Sequence, residues 1–465
     1  MNEDTSTDSE IQAPPVLDGE PEPSSLPRSM TGWVVLTLLF AALVLLNLWG
    51  YLGRDSKPGA LNNELDVRLR TIVASKSLGE STKNPEIKKS IDTQLEDLVA
   101  EVVGKKGSDR NAALFYAAAR AEQGKAVTID DVAFLRKGDE ASKAVAELYT
   151  NLKLDEKTAR ELGKKLPERG FVYKLAVVQA LERLKVPHAR DDLVSPAKAL
   201  LMAVGGMILG VVLLGGMVLI SFYVTQRNQG KIKPIGIATR GITAAQADRY
   251  ALRAAQLLLV FVLSGILVEV LRLGDIAGNL VAFAITISAA VILSKVPIDG
   301  VPMGLPQVGV GTRDLGTNVL WGLAGGIANF PIMLGLSFIG NVLFSGLPAP
   351  EHPLTTKLME GQSGGYIALS MVLASICAPL FEEFLFRGHL FPALARVKGS
   401  LVYGAAVSSL LFAAIHPTGI PAWLPLAGVG AMGCFLSHQR GSLVPSIVMH
   451  ATHNLLTLVM VLTLM

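Results

Sequence analysis

One feature restricts the fold of this chain more than any other: a succession of apolar runs, each near the length needed to cross a bilayer. They fall at 30–52, 197–225, 251–273, 277–296, 317–346, 366–394, 401–416, 422–437 and 443–464. A spanning helix needs about 20 apolar residues. In hydrocarbon every backbone N–H and C=O must be satisfied within the structure, so segments of this length are expected to be α-helices. The expected fold class is all-α: a polytopic membrane helix bundle of about eight or nine spans, with an inserted helical extramembrane domain. The runs at 401–416 and 422–437 are the shortest, and 422–437 carries the weakest case for a full span.

Only 17% of the residues are charged, against about a quarter in soluble domains. The deficit is local, because most of the charge lies before residue 196. Residues 1–29 are acidic and rich in Pro and Ser, the composition of a disordered tail and the opposite of a basic signal-peptide n-region. The first apolar run, 30–52, has no small-residue cleavage site and is read as a transmembrane anchor. Residues 54–195 have near-balanced charge, with Ala and Leu at helical spacing in "NAALFYAAARAEQGK" and "ASKAVAELYTNL", so a small bundle of helical hairpins is expected there. Transmembrane helices follow over 197–300, and a final bundle over 310–465. A net charge of +3 gives no basis for a nucleic-acid partner. Cys377 and Cys434 form neither a disulfide framework nor a zinc pattern. The expected location is a multi-pass integral protein of the cell (plasma) membrane, in contact with the lipid bilayer.

Short loops rich in Lys and Arg face the cytoplasm. The basic segments "RNQGKIKPIGIATRGITAAQADR", "RVKGS" and "HQRGS" fall on one side of a nine-span count. That count puts the acidic tail inside and 54–195 outside, where this domain would be free to bind a substrate or partner protein.

Ionisable groups at membrane depth are costly and mark function by default. Glu382, Glu383 and Arg387 lie in "PLFEEFLFRGHLF". Residues four apart share a helix face, so Glu383 is expected to form a structural ion pair with Arg387. Glu382 points about 100° away and is left free as a proton acceptor. Phe412 and His416 form a second cluster, and His450 and Asn454 a third, again four apart. Glu382 and His416 stand 17 residues either side of Gly399. Two antiparallel helices leaving a turn there would bring them to one depth, roughly 25 Å along each arm. His389, seven residues after Glu382 and so expected on the same face two turns away, and His453, one turn after His450, are placed as supporting residues, and His188, His352 and His438 as ordinary ones.

Together, "EEFLFRG", "FAAIH" and "HATHN" resemble the three motifs of the CPBP intramembrane endopeptidases, which include the type II CaaX prenyl endopeptidases and the bacterial Abi proteins. "RDLGTNVLWGLAGG" is similar to the stretch that often precedes that core. The resemblance covers roughly 310–465 and implies an intramembrane endopeptidase. By it, Glu382 and His416 would activate a water, Glu383 and Arg387 would hold the first motif's helix, and His450 and Asn454 would stabilise the oxyanion or help bind a metal. The cofactor is left as zinc, with Glu382, His416 and His450 as candidate ligands, or none. The substrate would be a membrane protein or peptide, a C-terminal C-a-a-X segment being one option. No H-E-x-x-H of a zincin and no G-x-S-G of a rhomboid-type serine protease is present. The rival functions are a non-catalytic membrane scaffold and a proton-coupled transporter.

Overall fold

The computed structural model describes residues 28–53, 63–82, 85–167, 170–191, 193–194, 196–234, 242–301, 303–305, 308–311, 314–344, 347, 353–358 and 363–464. The tail 1–29, except for its last two residues, lies outside this set, as does His352. Among the described residues the chain is helical, with one isolated bridge, Ile298 to Val301, and no strand.

Helix α1 (Thr31–Leu52) leads into six helices: α2 (Asn63–Thr82), α3 (Pro85–Val103), α4 (Arg110–Glu122), α5 (Glu140–Thr150), α6 (Glu156–Lys164) and α7 (Phe171–Arg183). They bury a core of their own, including Leu69, Ile72, Leu98, Phe115, Leu148 and Leu175. Asp109, Asp139 and Asp155 start α4, α5 and α6 by accepting backbone N–H groups of the first turn, the usual role of an N-cap aspartate. A buried polar network ties the helices together. Glu122 accepts from Arg190 at 2.7 Å and from Gln179 at 2.8 Å, and Tyr149 donates to Gln179 at 2.6 Å. Burial would raise the Glu122 carboxyl, but the Arg190 guanidinium outweighs it and holds the group below the usual carboxylate range.

The remaining helices are α8 (Pro196–Asn228), α9 (Ala244–Val270), α10 (Asp275–Ser294), α11 (Leu315–Leu343), the short α12 (Pro353–Leu358), the interrupted α13 (Gly364–Lys398), α14 (Leu401–Ala414), α15 (Trp423–Arg440) and α16 (Val444–Leu464). Among the described residues, eight helices are long and apolar enough to cross a membrane. Here the structure corrects the expected lengths. The run placed at 422–437 belongs to a candidate span of 21 residues, Ile420–Arg440, whereas the short apolar helix is Leu401–Ala414. Three residues of the polar end, His438 to Arg440, continue the helix in α15, so hydropathy alone truncated it.

The bundle has two distinct ends. At one, Arg28, Ser29 and Trp33 all donate to Asp248 at the start of α9. There too Arg249 pairs with Asp299 at 2.8 Å, Arg440 donates to Asn318 at 3.0 Å, and Gln439 donates to the Lys233 carbonyl at 2.9 Å. At the other end Asn47 donates to the Ile415 carbonyl at 2.5 Å, and Gly340 lies against Pro421. Helices α13 and α14 are joined by a tight turn in which Gly399 takes φ +63°, a conformation that L side chains rarely adopt. Ser400 then caps α14 by accepting from the Tyr403 N–H.

Candidate active site

Helix α13 carries the paired glutamates and is not a regular α-helix. Two stretches, Leu373–Cys377 and Phe384–Leu390, wind as π-helix on either side of them. Such turns are rare and often mark functional sites. Proline helps to account for the first. The Ala378 N–H bonds back five residues to the Leu373 carbonyl. The next carbonyl in that pattern, Ala374, would need an N–H from residue 379, and Pro379 has none. Asn454 supplies the missing donor from α16, its Nδ2 lying 2.8 Å from the Ala374 oxygen.

Glu383 is fully buried and pairs with fully buried Arg387, Oε1 to Nη1, at 2.9 Å. The i,i+4 pairing expected from the sequence is present. Glu383 does more than neutralise Arg387, because its Oε1 also receives the His450 Nδ1–H at 2.9 Å. A carboxylate only accepts, which fixes the hydrogen on Nδ1 and turns Nε2 to the reacting side. That Nε2 lies 3.7 Å from Glu382 Oε2. His450 thus hydrogen-bonds one of the two adjacent glutamates and stands beside the other. The guanidinium of Arg387 also donates to the Gly430 carbonyl at 3.0 Å and lies over the Phe412 ring, 4.8 Å from its centroid.

Glycine makes room for this arrangement. A Cβ at Gly433 would stand 2.7 Å from Arg387 Nε and 3.1 Å from Glu383 Oε2. On α11, Cβ atoms at Gly322 and Gly326 would strike Val448 and Thr452 of α16 at 2.5 and 2.7 Å. Small residues let membrane helices approach closely, and here they set the height of the helix that carries His450. Gly433→Ala is expected to destabilise the protein by about 1–3 kcal/mol, the usual cost of overpacking. Thermal unfolding in detergent would register this as a lowered midpoint.

A cavity of about 620 Å³ lies between α10, α11, α13, α15 and α16. Glu382, His416, His450 and Asn454 all line it, while Glu383 and Arg387 stand behind the wall. Most of the wall is apolar. Glu382 keeps 23% of its side chain exposed, whereas Glu383 has none. His416 lies just past the end of α14 and donates Nδ1–H to the Phe412 carbonyl at 2.6 Å. A carbonyl cannot donate, so the neutral ring presents an unprotonated Nε2. Phe412 separates the two imidazoles, with centroids 4.6 Å from His416 and 5.6 Å from His450.

Several expectations need amending. Glu382 and His416 share the cavity, but among the described residues the ionisable neighbour within 4 Å of Glu382 is His450. Asn454 spends an amide hydrogen on the α13 backbone, so that hydrogen is not aimed at a developing oxyanion. His389 does not share the face of Glu382: it is buried against Tyr250 and Phe384 and bonds the Phe384 carbonyl at 2.8 Å. The intervening π turns hold more residues per revolution, so a spacing of seven does not return to the same face. His453 does line the cavity and sits 3.3 Å from Asn329. Asn279, Asn341, Tyr366 and Ser370 also line it and escaped the sequence reading. Their signal was available, since polar side chains within apolar runs tend to face a cavity or the bundle interior.

Two imidazole Nε2 atoms and a carboxylate have the chemistry of zinc donors. The geometry does not gather them: among the described residues no group of three His, Cys, Asp or Glu side chains is close enough to hold a metal ion.

Residues 364–456 match the family model described as type II CAAX prenyl endopeptidase Rce1-like. The match contains all three motif clusters and supports the resemblance drawn from them. The chain is also similar to an uncharacterised 24.3 kDa protein of Escherichia coli, 35% identical over 113 residues. That alignment covers 24% of this chain and 48% of the relative, so the chain spans about half the length of the curated relative it matches. No solved structure matches the chain.

Proposed function

We propose that this multi-pass integral membrane protein is an intramembrane endopeptidase that hydrolyses peptide bonds with a water activated by Glu382. One observation carries the reading. A mostly apolar cavity among the membrane helices is lined by the Glu382 carboxylate and the imidazoles of His416, His450 and His453, and His450 is oriented by a second, buried carboxylate.

Glu382 takes a proton from water as the oxygen attacks the scissile carbonyl carbon. His416 accepts the water's other hydrogen at Nε2 and orients it. His450, held at Nδ1 by Glu383, keeps Nε2 turned to the reacting carbonyl, and in its doubly protonated form donates from there to the oxyanion, the interaction with the largest electrostatic effect in such reactions. The C–N bond then breaks, and Glu382 passes its proton to the departing amine. Arg387 and Asn454 act as positioning residues, one through Glu383 and the other through the backbone of α13.

Release of peptides by purified protein from a library of membrane substrates tests this, with His416→Ala beside the wild type. The variant is expected to lose most of the activity. Equal cleavage by both proteins would exclude His416 from the reaction. No cleavage by wild type would favour a scaffold instead. Cleavage is expected to persist in EDTA, because the donors are not gathered around a metal position. Loss of activity in EDTA, restored by zinc, would mean that Glu382, His416 and His450 close around an ion during turnover. The helical domain 63–194 is proposed to recruit a substrate or partner protein. Its deletion should slow cleavage of the native substrate while sparing short peptides.

A further inference from the structure

Each membrane helix has one terminus at the end of the bundle marked by Asp248, Asn318 and Gln439, and the other at the end marked by Asn47 and Gly340. The contacts fix which terminus is which. Helix α1 begins at the first end, beside the start of α9, through Arg28, Trp33 and Asp248. It finishes at the second end, where Asn47 meets Ile415. Helix α8 begins at that second end, since Gly205 lies against Thr463 near the terminus of α16. The domain 63–194 connects the last residue of α1 to the first of α8. It therefore emerges from the second end.

The lining of the cavity belongs to that same end. Ile276 is the second residue of α10, Tyr366 the third of α13, and Asn341 the third from last of α11. Leu354 and Thr355 come from α12, in the connection between α11 and α13. Pro421 and Ala422 immediately precede α15. Among the described residues, none of those lining the cavity comes from the first end. The lining runs from Glu382 and His450 to α12 and the starts of α10, α13 and α15.

The charges orient the molecule. Arg227, Lys231, Lys233, Arg396, Lys398 and Arg440 all lie at or beside the short connections of the first end. The short connections of the second end are nearly free of excess positive charge: 415–422 has no Lys or Arg, 271–274 has Arg272 flanked by Glu269 and Asp275, and 344–363 sets Lys357 against Glu351 and Glu360. Short basic loops stay in the cytoplasm, and long domains cross largely regardless of their charge. The first end is cytoplasmic.

We infer that the catalytic cavity opens on the non-cytoplasmic face of the membrane, beside the helical domain, and takes its substrate from there. Resting on the endopeptidase reading above, this names the substrate class: a polypeptide presented outside the cytoplasm, such as the outer juxtamembrane segment of a membrane protein or a translocated chain. A cytosolic C-terminal tail would have no route to Glu382 from this mouth.

Orientation is tested without recourse to activity. In full-length protein carrying Cys377→Ser, with buried Cys434 retained, single cysteines are placed by Thr355→Cys at the mouth, Leu152→Cys in the domain and Lys233→Cys at the basic end. Intact cells are treated with a membrane-impermeant maleimide. Labelling of the first two in intact cells, and of the third only after permeabilisation, is the expected pattern. Labelling of Thr355→Cys only after permeabilisation would overturn the inference, whether or not the protein cleaves anything. A single-span reporter carrying one target segment on either side of the membrane then tests the route. The outer copy should be cut and the inner one spared. Cutting of the inner copy would overturn the route. Cutting of neither copy would overturn the substrate claim and count against the endopeptidase reading, with the labelling pattern still reporting the side of the mouth.

Discussion

Glu382→Gln is expected to lower peptide cleavage by about 10²–10⁴-fold, the usual contribution of a positioned proton-transfer group, and to leave the folded protein as stable as before. The two halves of this expectation have different causes. Glutamine keeps the shape of the side chain but cannot accept a proton from water or return one to the leaving amine. Stability is spared because Glu382 is partly exposed to the cavity and lies 3.7 Å from His450, beyond hydrogen-bond range. Cleavage rate and unfolding midpoint, measured on the same preparation, check both halves. A variant that cleaves at the wild-type rate would remove Glu382 from the mechanism. A variant that unfolds early would make it a structural residue.

The parts of this site that were legible from the sequence follow local rules. Long apolar runs gave the spans because hydrocarbon permits no other use of them. The Glu383–Arg387 pair followed from i,i+4 spacing within one turn and holds even beside π-helical residues. The same spacing put His450 and Asn454 on one wall of the cavity. What escaped depends on relations between helices. The bond from His450 to Glu383 crosses from α16 to α13, and nothing in either segment fixes their relative height. That height is set by close contacts at Gly322, Gly326 and Gly433, whose partners are distant in sequence. Equal counts of residues from Gly399 suggested that Glu382 faces His416. The counting assumed regular helices, whereas α13 contains two π-helical stretches and His416 lies beyond the end of α14. Proline at 379 was visible in the sequence, but the donor that compensates for it is 75 residues away at Asn454.

Glu383→Ala should behave quite differently from the change at its neighbour, destabilising the protein by about 3–5 kcal/mol, as expected when one member of a buried pair is removed. Both carboxylate and guanidinium are fully buried. The Arg387 charge would keep its bond to the Gly430 carbonyl and its position over Phe412, but no negative charge would remain to balance it. The loss would reach the reaction through His450, whose Nδ1–H is left without its acceptor. An imidazole released from that bond can rotate, and Nε2 no longer stays beside Glu382. Activity and stability should therefore fall together in this variant. The double variant Glu383→Ala/Arg387→Met separates the two effects. Removing both charges eliminates the unpaired cation and should recover much of the unfolding midpoint, since replacing a buried ion pair by apolar groups is often close to neutral. Cleavage should stay low, because His450 still lacks the group that orients it. Recovery of activity along with stability would reduce Glu383 to a counter-ion for Arg387.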